Sequence, residues 1–308
     1  MDPFTSILVD IDASASAHPA LERAARIAQA SGASLTIADV VSIPRVARHA
    51  LSPELKAQVH SQRREQLARM AREAAAPAAQ ARLLSGRRAT ALVREVLRSR
   101  HDLLVRSHVR DLALHGPKGY GAVDFELLRQ CPCPVRLSAA GPMASEPRVC
   151  GAVNATTDEP AEQALNRRIV ETTLMMARLI GGRSMLLQVW TPLAESTVRT
   201  HTSDDAFAAY VDDTRRLAEA ELARLAAPFR EALGIDRLFL RRGDTEEEIA
   251  KFVVSEGVDL LVMGTMGRSG IPGLVIGNTA EGVMRRVVCS VLAIKPEGFV
   301  SPVTEGPA

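Results

Sequence analysis

The chain has 308 residues, 46% of them hydrophobic but only 3% aromatic, and a net charge of +2. That length calls for two domains of ordinary size, with cores packed from aliphatic and alanine side chains. So small a charge gives no argument for nucleic acid or a membrane surface, no apolar run approaches the roughly 18 residues of a membrane span, and Met1-Asp2-Pro3-Phe4 opens no signal peptide, so a cytoplasmic protein is expected.

Residues 7–12, an apolar run ending at Asp12, read as a first strand. A helix follows over residues 19–31 and closes at Gly32, then a strand over 34–41 and a long polar helix over 53–76. Further strands are expected at residues 83–86, 102–105 and 133–137, the last fed by a helix through Phe125-Glu126-Leu127-Leu128-Arg129. Residues 141–148, with Gly141-Pro142 and Glu146-Pro147, form a linker.

The same order then repeats. Residues 149–154 match the first strand and end at Asn154. A helix over 160–180 carries Leu165, Ile169, Val170, Thr173, Met176 and Ile180 on one face and closes at Gly181-Gly182. A strand over 184–190 and a long helix over 205–233 follow. Leu83 to Gly86 matches Leu240 to Gly243, and Asp102-Leu103-Leu104-Val105 matches Asp259-Leu260-Leu261-Val262, at one constant offset. Two copies of one βαβαβαβαβ unit are therefore expected: an α/β chain of two tandem, doubly wound, five-stranded parallel-sheet sandwiches with right-handed crossovers. Residues 1–140 form the first, 149–298 the second, and 299–308 a tail.

Within the second copy the strand Asp259-Leu260-Leu261-Val262-Met263 runs into Gly264-Thr265-Met266-Gly267. After nine residues comes Gly277-Asn278-Thr279, which opens a helix over 279–288. Glycines after a parallel strand let backbone approach an anion, and the unpaired amides of the next helix start favour negative charge. The competing reading is a plain strand-to-helix loop. No Walker loop occurs, and no Gly-x-Gly-x-x-Gly follows the first strand. Ligands of such sheets sit outside the carboxyl ends of strands at the switch in strand order, where Asn154, Val189 and the 264–277 loop would converge. Asn154 has a competing role in capping the strand-to-helix turn.

The cysteines at 131, 133, 150 and 289 lack the spacing of a disulfide scaffold or a zinc cluster, and the seven histidines form no i, i+4 pair. No metal ligand is assigned.

On these residues the chain resembles the universal stress proteins, and among them those with two tandem domains. Nucleotide-binding members of that family carry Gly-x2-Gly-x9-Gly followed by Ser, Thr or Asn, which residues 264–279 match in full. The resemblance implies ATP, or AMP or ADP, in the second half, with Mg²⁺ as an optional companion. It implies that Gly264, Gly267, Gly277, Asn278 and Thr279 hold phosphate and ribose, and that Val153, Asn154 and Val189 border the adenine, with Met263 beside them. Relatives usually carry aspartate where this half has Asn154, which keeps hydrogen bonding and loses the charge. In the first half Ser107 and Arg110 replace Gly264 and Gly267, and Gly121 is followed by Ala122-Val123, so no nucleotide site is expected there. Arg106, Arg110 and Lys118 suggest a basic surface, with ordinary solvated charges as the alternative.

The implied function is a nucleotide-binding stress-response sensor or regulator. Hydrolysis would be slow at most, because Arg268 is the only cation of the loop and no clear base for water is present, so no catalytic residue is assigned. A nucleotidyl transferase or ATP pyrophosphatase of the same architecture would need His-x-Gly-His, Ser-Gly-Gly-x-Asp-Ser or Lys-Met-Ser-Lys-Ser, all absent. The remaining alternative is a scaffolding module whose first half meets a protein partner. Edge strands 135–137 and 291–294 could then pair the two halves, and a homodimer stays open.

Overall fold

A computed structural model describes residues 3–15, 17–42, 52–76, 78–107, 120–139, 141, 144–233, 237–265 and 276–304. The first half holds β1 (Ser6–Ile11), α1 (Pro19–Ser31), β2 (Ser34–Val41), α2 (Pro53–Glu73), β3 (Gln80–Ser85), α3 (Arg88–Ser99), β4 (Leu103–Ser107), α4 (Ala122–Gln130) and β5 (Val135–Ser138). The second holds β6 (Arg148–Val153), α5 (Pro160–Ile180), β7 (Arg183–Trp190), α6 (Glu195–His201), α7 (Asp204–Ala226), α8 (Arg230–Leu233), β8 (Leu238–Arg242), α9 (Thr245–Ser255), β9 (Leu260–Gly264), α10 (Asn278–Arg286) and β10 (Ser290–Ile294).

Local chemistry sets the element ends. Gly32 and Gly181 close α1 and α5 at φ 73° and 68°, a left-handed geometry that glycine adopts without Cβ strain. Ser52, Ser203 and Asp244 accept first-turn amides of α2, α7 and α9. The long helix expected over 205–233 stops at Ala226, and a 3₁₀ turn Ala227–Phe229 intervenes before α8. Pro228 explains the break, because it offers no amide to an α-helical ladder.

Each half contributes five parallel strands, and the two sets join edge to edge in one ten-stranded sheet of order β3-β2-β1-β4-β5-β10-β9-β6-β7-β8. At the join β5 and β10 run antiparallel, with Leu137 opposite Val291, Arg136 opposite Leu292 and Val135 opposite Ala293. The two five-stranded units are thus one continuous layer, and the edge strands suspected from sequence cover one another.

Helices from both halves share each face. Side chains of α3, α4, α9 and α10, such as Leu92, Leu127, Phe252 and Val283, form one apolar core, and those of α1, α2, α5 and α7, such as Ile27, Leu67, Val170 and Leu222, form the other. Alternation along the strands feeds both: Leu8 faces the first core, Ile7 and Val9 the second. Each such leucine or isoleucine contributes roughly 1.5 to 3 kcal/mol on burial.

Candidate functional site

In the second half β6 lies between β7 and β9, so the chain leaves β6 to one side and later returns on the other. That is the switch in strand order, and at its carboxyl end is a cavity of about 360 Å³. Val153 and Asn154 border it from the end of β6, Val189 from β7, and Met263 and Gly264 from β9. Gly277, Asn278 and Thr279 border it from the start of α10. Eight of the nine residues singled out from sequence therefore meet around one space; Gly267 lies outside the described residues, as do Arg268, Arg110 and Lys118.

The walls divide by chemistry. Leu187, Val189, Ile249, Met263 and Val283 are apolar, which suits a flat base, while Asn154, Asn278, Thr279 and Thr245 supply neutral polar groups. Gly277 at the N-cap of α10 brings no side-chain cap, and no capping bond is present among the described residues, so the first-turn amides are open to a ligand at the wall. Glu162 is the only titratable side chain among the described lining residues.

Glu162, Asn166 and Leu165 are lining residues that sequence reasoning missed. With Ile169 they fall at i, i+3, i+4 and i+7 on α5, one face of the helix, and all four reach the cavity. The signal was a polar pair set into an otherwise apolar stripe. Asn166 is 5% exposed and brackets Asn154: its Oδ1 accepts the Asn154 amide at 3.0 Å and its Nδ2 donates to the Asn154 carbonyl at 2.7 Å. The Asn154 side chain accepts from the Thr156 hydroxyl at 3.2 Å and donates to Glu162 at 3.4 Å. The Asn154 side chain thus bonds two other side chains, at a residue that also lines the cavity.

Gly264 has a packing reason of its own. A Cβ there would stand 2.6 Å from Cδ2 of Leu165, so glycine lets α5 lie close over the end of β9. Ser107 occupies the matching place in β4, where its hydroxyl accepts the Ala20 amide at 3.0 Å in the first turn of α1.

The rest of the first-half position is filled by charge. By register Asp10 stands where the second half has Ala152, and Arg106 where it has Met263. Arg88 bonds Asp10 at 2.6 Å and Asp39 at 3.0 Å, and Arg106 bonds Asp10 and, at 2.8 Å, Asp124. Arg63 from α2 joins Asp39 and, at 2.9 Å, Asp12. Asp10 and Asp39 are buried outright. Burial pushes the Asp10 carboxyl up from its ordinary value although Arg106 and Arg88 pull it down. Partial burial works to raise Asp12 as well, but hydrogen bonds from Ser14 and Arg63 outweigh it and leave that carboxyl at about 2. Of the basic residues suggested as a surface, Arg106 is paired with Asp10 and Asp124 and only 19% exposed, while Arg110 and Lys118 lie outside the described residues.

Cys131 and Cys133 are buried with their sulfurs 3.5 Å apart, and the contact with Cys131 together with burial pushes the Cys133 thiol well up, away from the reactive thiolate. No helix among the described residues is long and apolar enough to cross a membrane, and no group of His, Cys, Asp or Glu among them could hold a metal.

Known proteins share this layout. The model of the universal stress protein family matches residues 3–137 and again 153–295. Universal stress protein E of Photorhabdus laumondii is 28% identical over 98% of both chains, and that of Salmonella typhi 27% identical over 98% of both. Among solved structures, a functionally unknown protein from Pseudomonas aeruginosa superposes with a TM-score of 0.71 at 20% identity, over 97% of this chain and 95% of its own.

Proposed function

The chain belongs to the universal stress protein family, as a tandem-domain member similar in layout to universal stress protein E, and from that premise we propose that its second half binds one adenine nucleotide as a stress-response sensor or regulator. The observation that carries this reading is the convergence of Val153 and Asn154, Val189, and Gly277 to Thr279 on one cavity at the switch in strand order. Apolar walls of β7 and β9 take the base. Gly264, Gly277, Asn278 and Thr279, with Gly267 by its place in the spacing, take ribose and phosphate at the start of α10.

Turnover is slow at most. Glu162 is the only described titratable group on the wall, and Asn154 holds it. With a neutral amide at the tip of β6, a Mg²⁺ accompanying the nucleotide would draw its ligands from phosphate oxygens and water, with Glu162 the nearby carboxylate. The first half takes no nucleotide, because Arg88, Arg106, Asp10 and Asp39 fill its matching space.

The test is to denature freshly purified protein and count released nucleotide per chain, beside Gly277→Val. One adenine nucleotide per chain, lost in the variant, is expected. None, with no binding on titration with ATP and Mg²⁺, overturns the reading and leaves a scaffolding module.

A further inference from the structure

Among the described residues Arg136 is the largest side chain buried outright, at 1% exposure, and its Nε and Nη1 have no hydrogen-bond partner there. It lies on β5 opposite Leu292, at the join between the halves. Two residues on, on the same face of the strand, the Ser138 hydroxyl is also buried without a partner among the described residues. A buried guanidinium is tolerated when a carboxylate or phosphate meets its fork, and is unfavourable alone.

The surroundings add positive charge. Arg23 of α1 donates to the carbonyls of Ala139 and, at 2.8 Å, Gly141, and stands close enough to Arg136 to disfavour its charge. Burial, with Arg23 second, pushes the Arg136 guanidinium down to about 9. Both arginines line a cavity of about 370 Å³, floored near the join by Ser290 and rimmed by Val254 and Val288, which are 68% and 38% exposed. Asp259 is the one carboxylate among its described lining residues, and its Oδ2 accepts the Arg148 amide at 2.8 Å.

We propose that this cavity binds a small molecule through a single oxyanion, carboxylate or phosphate, with Arg136 as the anchoring fork. The site stands apart from the nucleotide cavity: Leu260 and Ser290, which line it, begin β9 and β10, whereas Gly264 ends β9. Its ligand enters between the halves and touches both, Arg136 and Ala139 from the first and Ser290 and Val254 from the second.

Inorganic phosphate and octanoate are the probes, titrated separately into the full chain while the Arg136 Nε resonance and the thermal midpoint are followed. A saturable shift with phosphate alone identifies a phosphate-bearing ligand. A shift with octanoate alone identifies a carboxylate with an apolar chain, which the valine rim would cover. Arg136→Met should weaken the responding probe about tenfold or more, the scale of one lost hydrogen bond to a charged group. Gly277→Val should leave it unchanged. Arg136→Met without probe should unfold no earlier than wild type. No saturable response of wild type to either probe, or a response kept in Arg136→Met, overturns the proposal.

Discussion

Asn166 holds Asn154 at both ends of its peptide, accepting from the amide at 3.0 Å and donating to the carbonyl at 2.7 Å. The tip of β6 is thereby fixed to α5, and with it the wall of the cavity. Asn166→Ala leaves the Asn154 amide without its partner, while the carbonyl keeps the Thr157 amide at 3.4 Å, which costs about 1 to 3 kcal/mol. The expected result is a lower urea midpoint together with about tenfold weaker ATP binding by calorimetry, the scale of one such lost bond. Unchanged affinity would detach the β6 tip from recognition.

Gly264 is constrained by Leu165, whose Cδ2 would stand 2.6 Å from a new Cβ. Gly264→Ala should destabilise by about 1 to 3 kcal/mol through overpacking. Part of that loss should vanish in a Leu165→Ala background, giving a coupling of at least about 0.5 kcal/mol in a double-mutant cycle read by urea unfolding. Simple additivity would mean that the two side chains do not compete for space.

The first-half ion cluster should show the asymmetry of buried pairs. Arg88→Met takes one arginine from each of Asp10 and Asp39, both buried, leaving Asp10 to Arg106 and Asp39 to Arg63, and is expected to cost about 1.5 to 3 kcal/mol, the scale of a hydrogen bond to a charged group. Its neighbour Arg87 pairs with Glu126 from the surface, its side chain 77% exposed, so Arg87→Met should change stability by less than about 1 kcal/mol. Equal losses from denaturant curves would contradict the burial of the cluster.

Lys295 crosses from β10 to α4, where its amine donates to the carbonyls of Leu128 and Arg129. Burial pushes it down to about 8, from 10.5. The unfolded chain therefore holds a proton there between about pH 8 and 10.5 that the folded chain has released, so this group's contribution to stability rises with pH across that window and is flat below it. Chemical denaturation of wild type and Lys295→Met at a series of pH values should show the wild type gaining on the variant from pH 8 upwards. A gap that narrows there would reverse the assignment.

The repeat made most of the fold legible. Strands ending at Asp12 and Asn154, glycines at 32 and 181, and the constant offset between Asp102 and Asp259 all follow from local patterns. What local patterns cannot carry is pairing between distant segments. The join of β5 and β10 was open to suspicion from exposed edges alone, and α6 has only Val198 as an apolar residue, too little for a helical period. In the site, glycines and Asn278-Thr279 stood out because those residue types are needed at strand and helix ends. Asn166 and Glu162 did not, since one polar residue in a helix reads as surface until its partner is known. Asp10, Asp39, Arg88 and Arg106 each look like an ordinary charge, and only the register that sets Asp10 beside Arg106 makes them a cluster.

The antiparallel join of β5 and β10 is made within one polypeptide, so it is governed by the tether and not by how many molecules share a volume. Dilution leaves it intact. Free chains of two kinds would also assort like with like, whereas here every molecule carries one half filled by ion pairs and one half with an open cavity, in a fixed ratio of one to one.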